Sequence, residues 1–468
     1  MNQLLNQDLQ QMDALLQEIK DYSILFLSSI DTLPVKSATA SFESFELPQK
    51  GFGGMQTMHQ FRKRYEEHLA GNSGPRNWGF VTGGATIPAI AGDWLTSVFD
   101  MNASDRDTLP FKIETETIAM LRQLFGLPDA FSGAFVTGAT MANFSGLAIA
   151  RQWIGQRLGV DVAQEGMAAL SKVRIVSCTP HSSTVKSMAM LGFGRNALVK
   201  LPTLPDREAI DIDSLTEYLK ASNGEQVIIV ASAGTVNTVD FDDLQAIAQL
   251  KEEYGFWLHV DAAFGAFAAC VPTYRELLKG WESADSITID AHKWLNVPYD
   301  AAMIFTRHQH LQLETFKNAG AAYLGDPEKD YKYSNYIPEN SRRLRALPAW
   351  FTLVAYGAEG YEAIVNNNID LARQLGLLIS RNNSFQLLAP VRLCVVCFTL
   401  NVPDEEKQLA VDAFIQVVND EGKVMLTPTV YKGIPAIRAA FVNWRTTAED
   451  LTIAWEDMRQ QAAALTVA

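Results

Sequence analysis

The sequence predicts an α/β fold with a large, mostly parallel seven-stranded sheet, a smaller α+β C-terminal domain and an N-terminal helical segment. Short apolar runs typical of buried strands alternate with helical spans between about residues 130 and 310. A long helical pattern and further strands follow after residue 345. A chain of 468 residues is also longer than one hydrophobic core usually holds, which favours more than one domain.

The predicted elements divide the chain into three parts. Residues 1–90 should form a helical segment that packs on another domain or on a partner subunit, because its amphipathic N-terminal helix has little core of its own. Residues 91–345 should form the large α/β domain, and residues 346–468 the small α+β domain. A helix over 113–125 should end at Gly126, which a proline follows two residues later.

The strands of the large sheet are predicted in the central part of the chain. Seven strands are predicted at 133–137, 173–178, 197–201, 227–231, 257–261, 286–290 and 301–306. Helices are predicted between several of them, at 141–156, 181–191, 212–220, 242–252 and 272–279.

Charge and composition narrow the functional classes. The 39 basic and 53 acidic side chains give a net charge of −14, which disfavours nucleic acid and anionic membranes as partners. The sequence contains no run of 18 apolar residues, so it predicts no membrane-spanning helix. Its first residues do not resemble a signal peptide. Cys394 and Cys397 have C-x-x-C spacing inside a predicted strand, where their thiols should face opposite sides. We therefore expect a cytoplasmic protein without a metal site.

A lysine after the sixth predicted strand is the first candidate for chemistry. Lys293 lies between His292 and Trp294, at the carboxyl end of the predicted strand. In an open α/β sheet, ligands bind at the carboxyl ends of the strands. Removal of water by these large flat neighbours favours the neutral amine, which can form an imine with a carbonyl. The structural alternative is a lysine whose stem packs on apolar surface while its amine reaches water.

An aspartate after the fifth predicted strand is the second candidate. Asp261 ends an apolar run, so its carboxylate needs a partner, and a pyridinium nitrogen would provide one. Helix capping is the alternative, although residues 262–265 do not resemble the start of an amphipathic helix. Asp261 and Lys293 are separated by about one helix and one strand, so both can reach the same edge of the sheet.

Two further strand ends fit the same site. After the first strand, Ala139 and Thr140 lie in a small-residue turn that opens a helix, where backbone N–H groups can bind phosphate. After the second strand, His181 could lie flat on a planar cofactor or simply begin a helix. In the glycine-rich stretch 72–90, Trp78 and Phe80 are either a wall of the substrate pocket or packing anchors.

An amine, a ring-nitrogen carboxylate, an imidazole and a phosphate-binding turn together describe a site for pyridoxal 5′-phosphate. The order of motifs resembles the group II pyridoxal phosphate-dependent amino acid decarboxylases, relatives of the aromatic amino acid and glutamate decarboxylases, over about residues 70–452. The matching runs are Asp290-Ala-His-Lys-Trp, His259-Val-Asp-Ala-Ala, Pro180-His-Ser-Ser, Ala233-Gly-Thr-Val-Asn-Thr and Ser341-Arg-Arg-Leu-Arg-Ala-Leu.

The resemblance implies a fold type I enzyme and a role for each matching residue. It implies that Lys293 carries the cofactor, that Asp261 meets the ring nitrogen, and that His181 and Ala263 face the ring. It further places Ala139, Thr140 and His292 near the phosphate and Thr235 near the cofactor. Counting back from the Arg342-Arg343 pair implies that Tyr333, with Tyr331 as the alternative, is the family's proton-donating loop tyrosine. In the family the pocket lies between two subunits, so this tyrosine would act from the neighbouring subunit.

Some positions depart from the family pattern. Gly138-Ala-Thr-Met replaces a frequent Gly-Gly-Thr-Glu, Pro348 replaces a lysine, and Trp78-Gly-Phe replaces a frequent His-Pro-x-Phe. In relatives, phenylalanine at the loop tyrosine accompanies oxidative deamination to aldehydes. A tyrosine at that place therefore favours simple decarboxylation.

The resulting hypothesis is a homodimeric, pyridoxal phosphate-dependent decarboxylase that converts an L-amino acid to an amine and carbon dioxide. Aldehyde synthesis, transamination, carbon–carbon lyase chemistry and a catalytically silent homologue are the alternatives. A nicotinamide-dependent dehydrogenase is disfavoured because no G-x-G-x-x-G follows a strand. Trp78 and Phe80 would suit an aromatic substrate, whereas Arg76 and Asn102 could bind a second carboxylate.

Overall fold

A seven-stranded sheet forms the centre of the chain. The structure is a computed structural model that describes residues 2–37, 43–104, 108–170, 173–222, 225–318 and 326–467. The strands of the large sheet are Ser132–Val136 (β1), Val173–Ser177 (β2), Leu198–Lys200 (β3), Gln226–Ser232 (β4), Trp257–Asp261 (β5), Ser286–Ile289 (β6) and Ala302–Thr306 (β7). The strands of a second, smaller sheet are Phe385–Leu387 (β8), Val395–Leu400 (β9), Thr427–Tyr431 (β10) and Ile434–Ala440 (β11).

Helices surround these sheets. They are Gln3–Gln10 (α1), Met12–Ser29 (α2), Gly54–Tyr65 (α3), Ile87–Phe99 (α4), Leu109–Phe125 (α5), Ala139–Leu158 (α6), Val162–Glu165 (α7), Ser182–Met190 (α8), Ile212–Ala221 (α9), Leu244–Tyr254 (α10), Ala291–Trp294 (α11), Gln309–Phe316 (α12), Ala346–Ser380 (α13), Lys407–Glu421 (α14) and Ala448–Val467 (α15). The predicted helix at 272–279 is instead a 3-10 helix, Pro272–Leu278.

The large sheet has the order β1-β7-β6-β5-β4-β2-β3. Strand β7 pairs antiparallel with β1 and β6, and every other pair in this sheet is parallel. The prediction of seven mostly parallel strands is thus confirmed. Because β1, β2, β4, β5 and β6 all run in the same direction, the turns that follow them lie along one edge.

Local sequence sets the ends of several helices. Thr108 accepts a hydrogen bond from the backbone N–H of Phe111 at the start of α5, and Pro110 lies in the first turn. The same helix ends at Gly126, whose positive φ of 66° suits glycine. The predicted end of this helix is confirmed. In α13, Gly357 has a φ of 60° and breaks the helical path.

The small sheet is antiparallel throughout, in the order β10-β11-β9-β8. Cys394 packs in the main hydrophobic core, whereas Cys397 packs in a separate small cluster with Tyr431 and Ala436. The prediction that the two thiols face different sides is confirmed. The described residues include no group of His, Cys, Asp and Glu side chains that could hold a metal ion.

The N-terminal part forms two helices rather than one, because the chain turns at Gln11 between α1 and α2. Many of their apolar side chains remain exposed within the single chain, as expected for a segment without its own core: Leu5, Leu9, Met12, Leu16, Ile19, Ile24 and Leu25. No helix among the described residues is both long and apolar enough to cross a membrane.

The division at residues 90 and 345 stays a prediction. Residue 90 falls inside α4, so the chain does not leave its regular structure there. Residue 346 begins α13, which packs against α4 and α5 and also against β8 and β9. Helix α13 therefore joins the part that carries the large sheet to the part that carries the small one.

A buried ion pair fixes the chain just before α13. The guanidinium of Arg342 pairs with the carboxylate of Glu114 on α5, and both side chains are fully buried. The same two side chains bind the backbone of Phe135 in β1, because Glu114 accepts from its N–H at 2.9 Å and Arg342 donates to its carbonyl at 3.2 Å. The pair thereby connects α5, β1 and the segment that precedes α13.

We expect Arg342→Met to lower the free energy of unfolding by about 3–5 kcal/mol, because removal of one partner leaves the Glu114 charge buried without compensation. The matched control is Arg343→Met, since the neighbouring arginine is 42% exposed and pairs with Asp93 at the surface. That variant should lose less than about 1 kcal/mol. Urea unfolding measures both values, and equal losses in the two variants would contradict a structural role for the buried pair.

Candidate active site

A cavity of about 350 Å³ lies at the carboxyl edge of the large sheet. Eight of the residues predicted for the site line it: Phe80, Ala139, His181, Thr235, Asp261, Ala263, His292 and Lys293. They come from the turns that follow β1, β2, β4, β5 and β6, together with the segment before α4. The parallel strands thus bring together residues that are distant in the sequence.

Lys293 reaches the cavity from α11, the short helix that directly follows β6. Its Nζ lies 3.2 Å from Oδ2 of Asp290 and 5.5 Å from the centre of the Phe264 ring. The backbone here is tightly packed, because a Cβ on residue 83 would overlap the Lys293 carbonyl oxygen. Only glycine fits at that position, and the close contact holds the lysine-bearing turn in place.

Asp261 ends β5, which pairs in parallel with β6 through the register Asp261–Thr288. One carboxylate oxygen accepts from the backbone N–H of Ala263 at 3.2 Å, and the other accepts from Nδ2 of Asn143 at 3.0 Å. Each oxygen of a carboxylate can accept two hydrogen bonds, so the face toward the cavity can still accept from a ring N–H.

His181 both begins a helix and lines the cavity, so its place at the helix start does not exclude a contact with a cofactor. It is the N-cap of α8, where Nδ1 accepts from the backbone N–H of Ser183 at 3.2 Å. Burial lowers the pKa of His181, and the nearby Asp261 only partly opposes this effect. A neutral imidazole with its ring in the cavity can stack on a flat aromatic cofactor.

The first turn of α6 supplies the site for an anion. Ala139 is the first residue of this 20-residue helix and lines the cavity. His292 packs beside it, because its Cε1 lies 3.3 Å from where a Cβ on Gly138 would be. A phosphate at this point would meet backbone N–H groups and the positive end of the helix dipole.

These residues fit pyridoxal 5′-phosphate on their chemistry alone. The cavity offers a lysine amine for the aldehyde, a carboxylate with free acceptor capacity for the ring nitrogen, a neutral imidazole for the ring face and a helix N-terminus for the phosphate. A family model described as the pyridoxal-dependent decarboxylase conserved domain matches residues 47–401, more than half of the chain. The chain belongs to the pyridoxal-dependent decarboxylase family.

Relatives and solved structures agree with this assignment. The decarboxylase is 27% identical over 422 residues to the aromatic-L-amino-acid decarboxylase of Bacillus atrophaeus, across 86% of this chain and 85% of that protein. It is also 27% identical over 409 residues to the phenylacetaldehyde synthase of Arabidopsis thaliana, across 84% and 82% of the two chains. The crystal structure of Oryza sativa TDC with PLP and tryptamine superimposes with a TM-score of 0.91 at 21% identity, across 97% and 98%.

The predicted fold class, the cofactor and the class of enzyme are thereby confirmed. The protein has the fold type I architecture and uses pyridoxal phosphate as a carboxy-lyase that decarboxylates an amino acid.

Two residues that were predicted for the site, Trp78 and Thr140, do not line the cavity. Trp78 is only 1% exposed, donates its indole N–H to the carbonyl of Pro75, and packs against Phe441 at 4.4 Å between ring centres. It is a packing anchor, and its assignment to the substrate pocket is wrong. Phe80, two residues later, points into the cavity. Thr140 follows Ala139 in α6 but does not line the cavity.

Tyr333 does not line the cavity of its own chain either. It is 2% exposed, packs on Phe111 at 5.3 Å and lies under the guanidinium of Arg342 at 5.0 Å. Burial raises the pKa of this tyrosine and of its neighbour Tyr331. Within one chain, the aromatic cluster and Arg342 hold both rings away from the cavity of that chain. The role of Tyr333 at the cavity of a neighbouring subunit stays a prediction.

The alternative anchors for a second carboxylate are absent from the cavity as well. Arg76 is buried in an ion pair with Asp450 at 2.6 Å. Asn102 accepts hydrogen bonds from Ser104 and from the backbone of Arg342, away from Lys293. Neither residue lines the cavity that contains Lys293 within the chain.

Sequence reasoning missed Arg438 and Tyr299 among the polar side chains that line the cavity. Arg438 reaches it from β11, held by hydrogen bonds of 3.1 Å to the carbonyls of Val236 and Gly79. Tyr299 lies at the mouth, 62% exposed, with its ring 4.3 Å from His292 and its hydroxyl 3.3 Å from Thr82. Tyr299 is six residues after Lys293, so proximity in sequence was the available signal; Arg438 lies far along the chain and offered none.

Proposed function

We propose that this decarboxylase acts on L-amino acids with aromatic side chains and releases the corresponding amine. The observation that carries the proposal is the composition of the Lys293 cavity, which places Phe80, Phe264 and Tyr299 around the lysine. Flat apolar rings of this kind favour an aromatic side chain through burial and edge or face contacts. The similarity to aromatic-L-amino-acid decarboxylases supports the same substrate class.

Four residues of the cavity have separate roles in the proposed reaction. Bound pyridoxal phosphate supplies the electron-accepting ring that takes up the electron pair left by the departing carboxylate. Lys293 would hold the cofactor through its amine. Asp261 keeps the ring nitrogen protonated, and His181 fixes the plane of the ring. Arg438 provides a buried cation for the anionic substrate.

The test is a panel of amino acids scored for released carbon dioxide, amine, ammonia and aldehyde. We expect one amine per carbon dioxide from aromatic substrates, and loss of all turnover in Lys293→Ala, because that variant has no amine to hold the cofactor. Lys186→Ala is the control, since this lysine lies on α8 away from the cavity lining. Turnover of glutamate or aspartate instead would overturn the aromatic assignment, and no carbon dioxide from any amino acid would overturn the reaction.

Tyr299 is the proposed proton donor to the substrate carbon, because Tyr333 lies in the core and Tyr299 is the tyrosine that lines the cavity in the described part of the chain. We expect Tyr299→Phe to lower amine formation about 100-fold or more, the usual contribution of a general acid. A larger share of aldehyde should accompany this loss.

Tyr333→Phe serves as the matched control and should retain most of the activity of the unmodified enzyme. If the Tyr333 variant lost amine formation while the Tyr299 variant kept it, the proton donor would have to be Tyr333.

We further propose a homodimer in the cytoplasm. The exposed apolar residues of α1 and α2 need a partner surface, and a second cavity of about 870 Å³ adjoins the active cavity at Phe80, Thr82 and Tyr299. A second copy of the chain would cover both. The four cysteines are free and buried, which suits a reducing compartment.

Light scattering should give twice the 51.7 kDa of the chain. The double variant Leu9→Glu, Leu16→Glu should dissociate and lose activity, because it places charges within the apolar contact. Leu409→Glu is the control, since Leu409 is an exposed leucine on α14. A monomeric parent enzyme that is fully active would contradict the dimer.

A further inference from the structure

A network of buried side chains lies beneath Asp261, on the side of the carboxylate that faces away from the cavity. At its centre is Asn143, which is fully buried on α6. Its Nδ2 lies 3.0 Å from Oδ2 of Asp261 and 3.0 Å from Oγ of Ser183. One amide group therefore contacts the carboxylate and the serine that supports His181.

The orientation of this amide is set by its neighbours. The Oδ1 of Asn143 accepts from Oγ1 of Thr288 at 2.7 Å and lies 2.9 Å from Nε2 of His259. The reverse orientation would place this carbonyl oxygen against the Asp261 carboxylate, with no hydrogen between the two acceptors. The NH₂ group must therefore face Asp261.

His259, two residues before Asp261 in β5, completes the network. It is fully buried, and burial lowers its pKa to about 4, so the ring is neutral at pH 7. Since Asn143 Oδ1 can only accept, the ring hydrogen of His259 resides on Nε2. Its Nδ1 then accepts from the hydroxyl of Ser286 at 2.8 Å, whose oxygen accepts from Nε1 of Trp257 at 3.1 Å.

These bonds all donate in one direction, from Trp257 through Ser286, His259 and Asn143 to Asp261. Such a chain of donors holds a carboxylate more firmly than a single hydrogen bond, because each bond polarises the next. Helix α6 can approach the sheet this closely because residue 146 is glycine. A Cβ there would lie 2.6 Å from the His259 ring.

The second hydrogen of the Asn143 amide connects Asn143 to His181 through Ser183. Oγ of Ser183 accepts it and lies 2.7 Å from Nδ1 of His181. That Nδ1 already accepts from the backbone N–H of Ser183, so it carries no hydrogen in the neutral ring. The hydrogen of His181 is therefore on Nε2.

We propose that Asn143 is a positioning residue that acts on both sides of the cofactor ring. Its amide orients the Asp261 carboxylate toward the ring nitrogen and, through Ser183, holds His181 in the tautomer with hydrogen on Nε2. This inference rests on the proposed function, because it assumes that pyridoxal phosphate binds between these two residues.

The first test measures the affinity of the apo protein for pyridoxal phosphate in Asn143→Leu and Asn143→Asp. Asn143→Leu removes a hydrogen bond to a charged group, so we expect the dissociation constant to rise roughly ten- to a hundredfold at every pH. Asn143→Asp keeps the shape and the acceptor for Thr288 and His259. It should show the same loss at high pH, where two carboxylates face each other.

The pH dependence separates positioning from packing. As the pH falls, the carboxyl at position 143 in Asn143→Asp becomes protonated and can donate to Asp261, so the affinity should recover relative to the parent enzyme. Asn143→Leu has no such group and should not recover. Ser145→Ala is the matched control on the same helix, because its buried hydroxyl has no hydrogen-bond partner among the described residues.

A second measurement examines the branch to His181. Ser183→Ala keeps the Asn143–Asp261 bond, so we expect nearly unchanged cofactor affinity and a two- to tenfold lower kcat, roughly the effect of one neutral hydrogen bond. An affinity loss as large as in Asn143→Leu would overturn the division into two branches.

The outcomes for the parent enzyme and the variants are distinguishable. Parent-like affinity in both Asn143 variants, or a pH profile of Asn143→Asp that is parallel to that of Asn143→Leu, would overturn the role of Asn143 while leaving the decarboxylase assignment intact. Failure of the parent enzyme to bind pyridoxal phosphate would overturn the proposed function and this inference together. If Asn143→Leu does not fold, the isosteric Asn143→Asp alone decides.

Discussion

The parallel pairing of β5 with β6 is the constraint on which the site depends. The register that sets Asp261 beside Thr288 also places the turn that carries Lys293 next to the end of β5. Successive side chains in a strand face opposite sides of the sheet, so a slip of one residue would turn Asp261 away from the cavity. It would also move Leu258 and Val260 out of the main core and put the polar His259 in their place. The apolar core of these two strands thus specifies the geometry of the polar residues at their ends.

A close approach of α6 to the sheet adds a second constraint. When the facing residues have side chains of ordinary size, a helix lies too far from a sheet for direct contact with the strand backbones and their polar groups. Gly146 reduces this distance at His259, and Asn143, one turn earlier on the same face, then reaches Asp261. Burial of five polar side chains beneath a cofactor is tolerable because each finds a partner.

The sequence was sufficient for the strands and for most of the cavity, because both depend on local patterns. An apolar run followed by Asp261 or by His292-Lys293 indicates a strand and a residue at its end. Tyr333 and Trp78 could not be placed in this way. The position of Tyr333 depends on the Arg342–Glu114 pair, and that of Trp78 on Phe441, contacts between distant parts of the chain. Arg438 was missed for the same reason, since only the packing of the small sheet brings it to the cavity.

The two sides of the cavity differ in a way that bears on the variety of reactions among relatives. Beneath the ring position, Asp261, Asn143 and His259 are enclosed and hydrogen-bonded within one chain. At the mouth, Phe80, Thr82 and Tyr299 border a wider cavity that the chain alone leaves open. The enclosed side holds the residues that fit the ring of the cofactor. The choice of substrate and product must then depend on the mouth, where a few side chains, and whatever surface covers them, decide which proton donor reaches the reacting carbon.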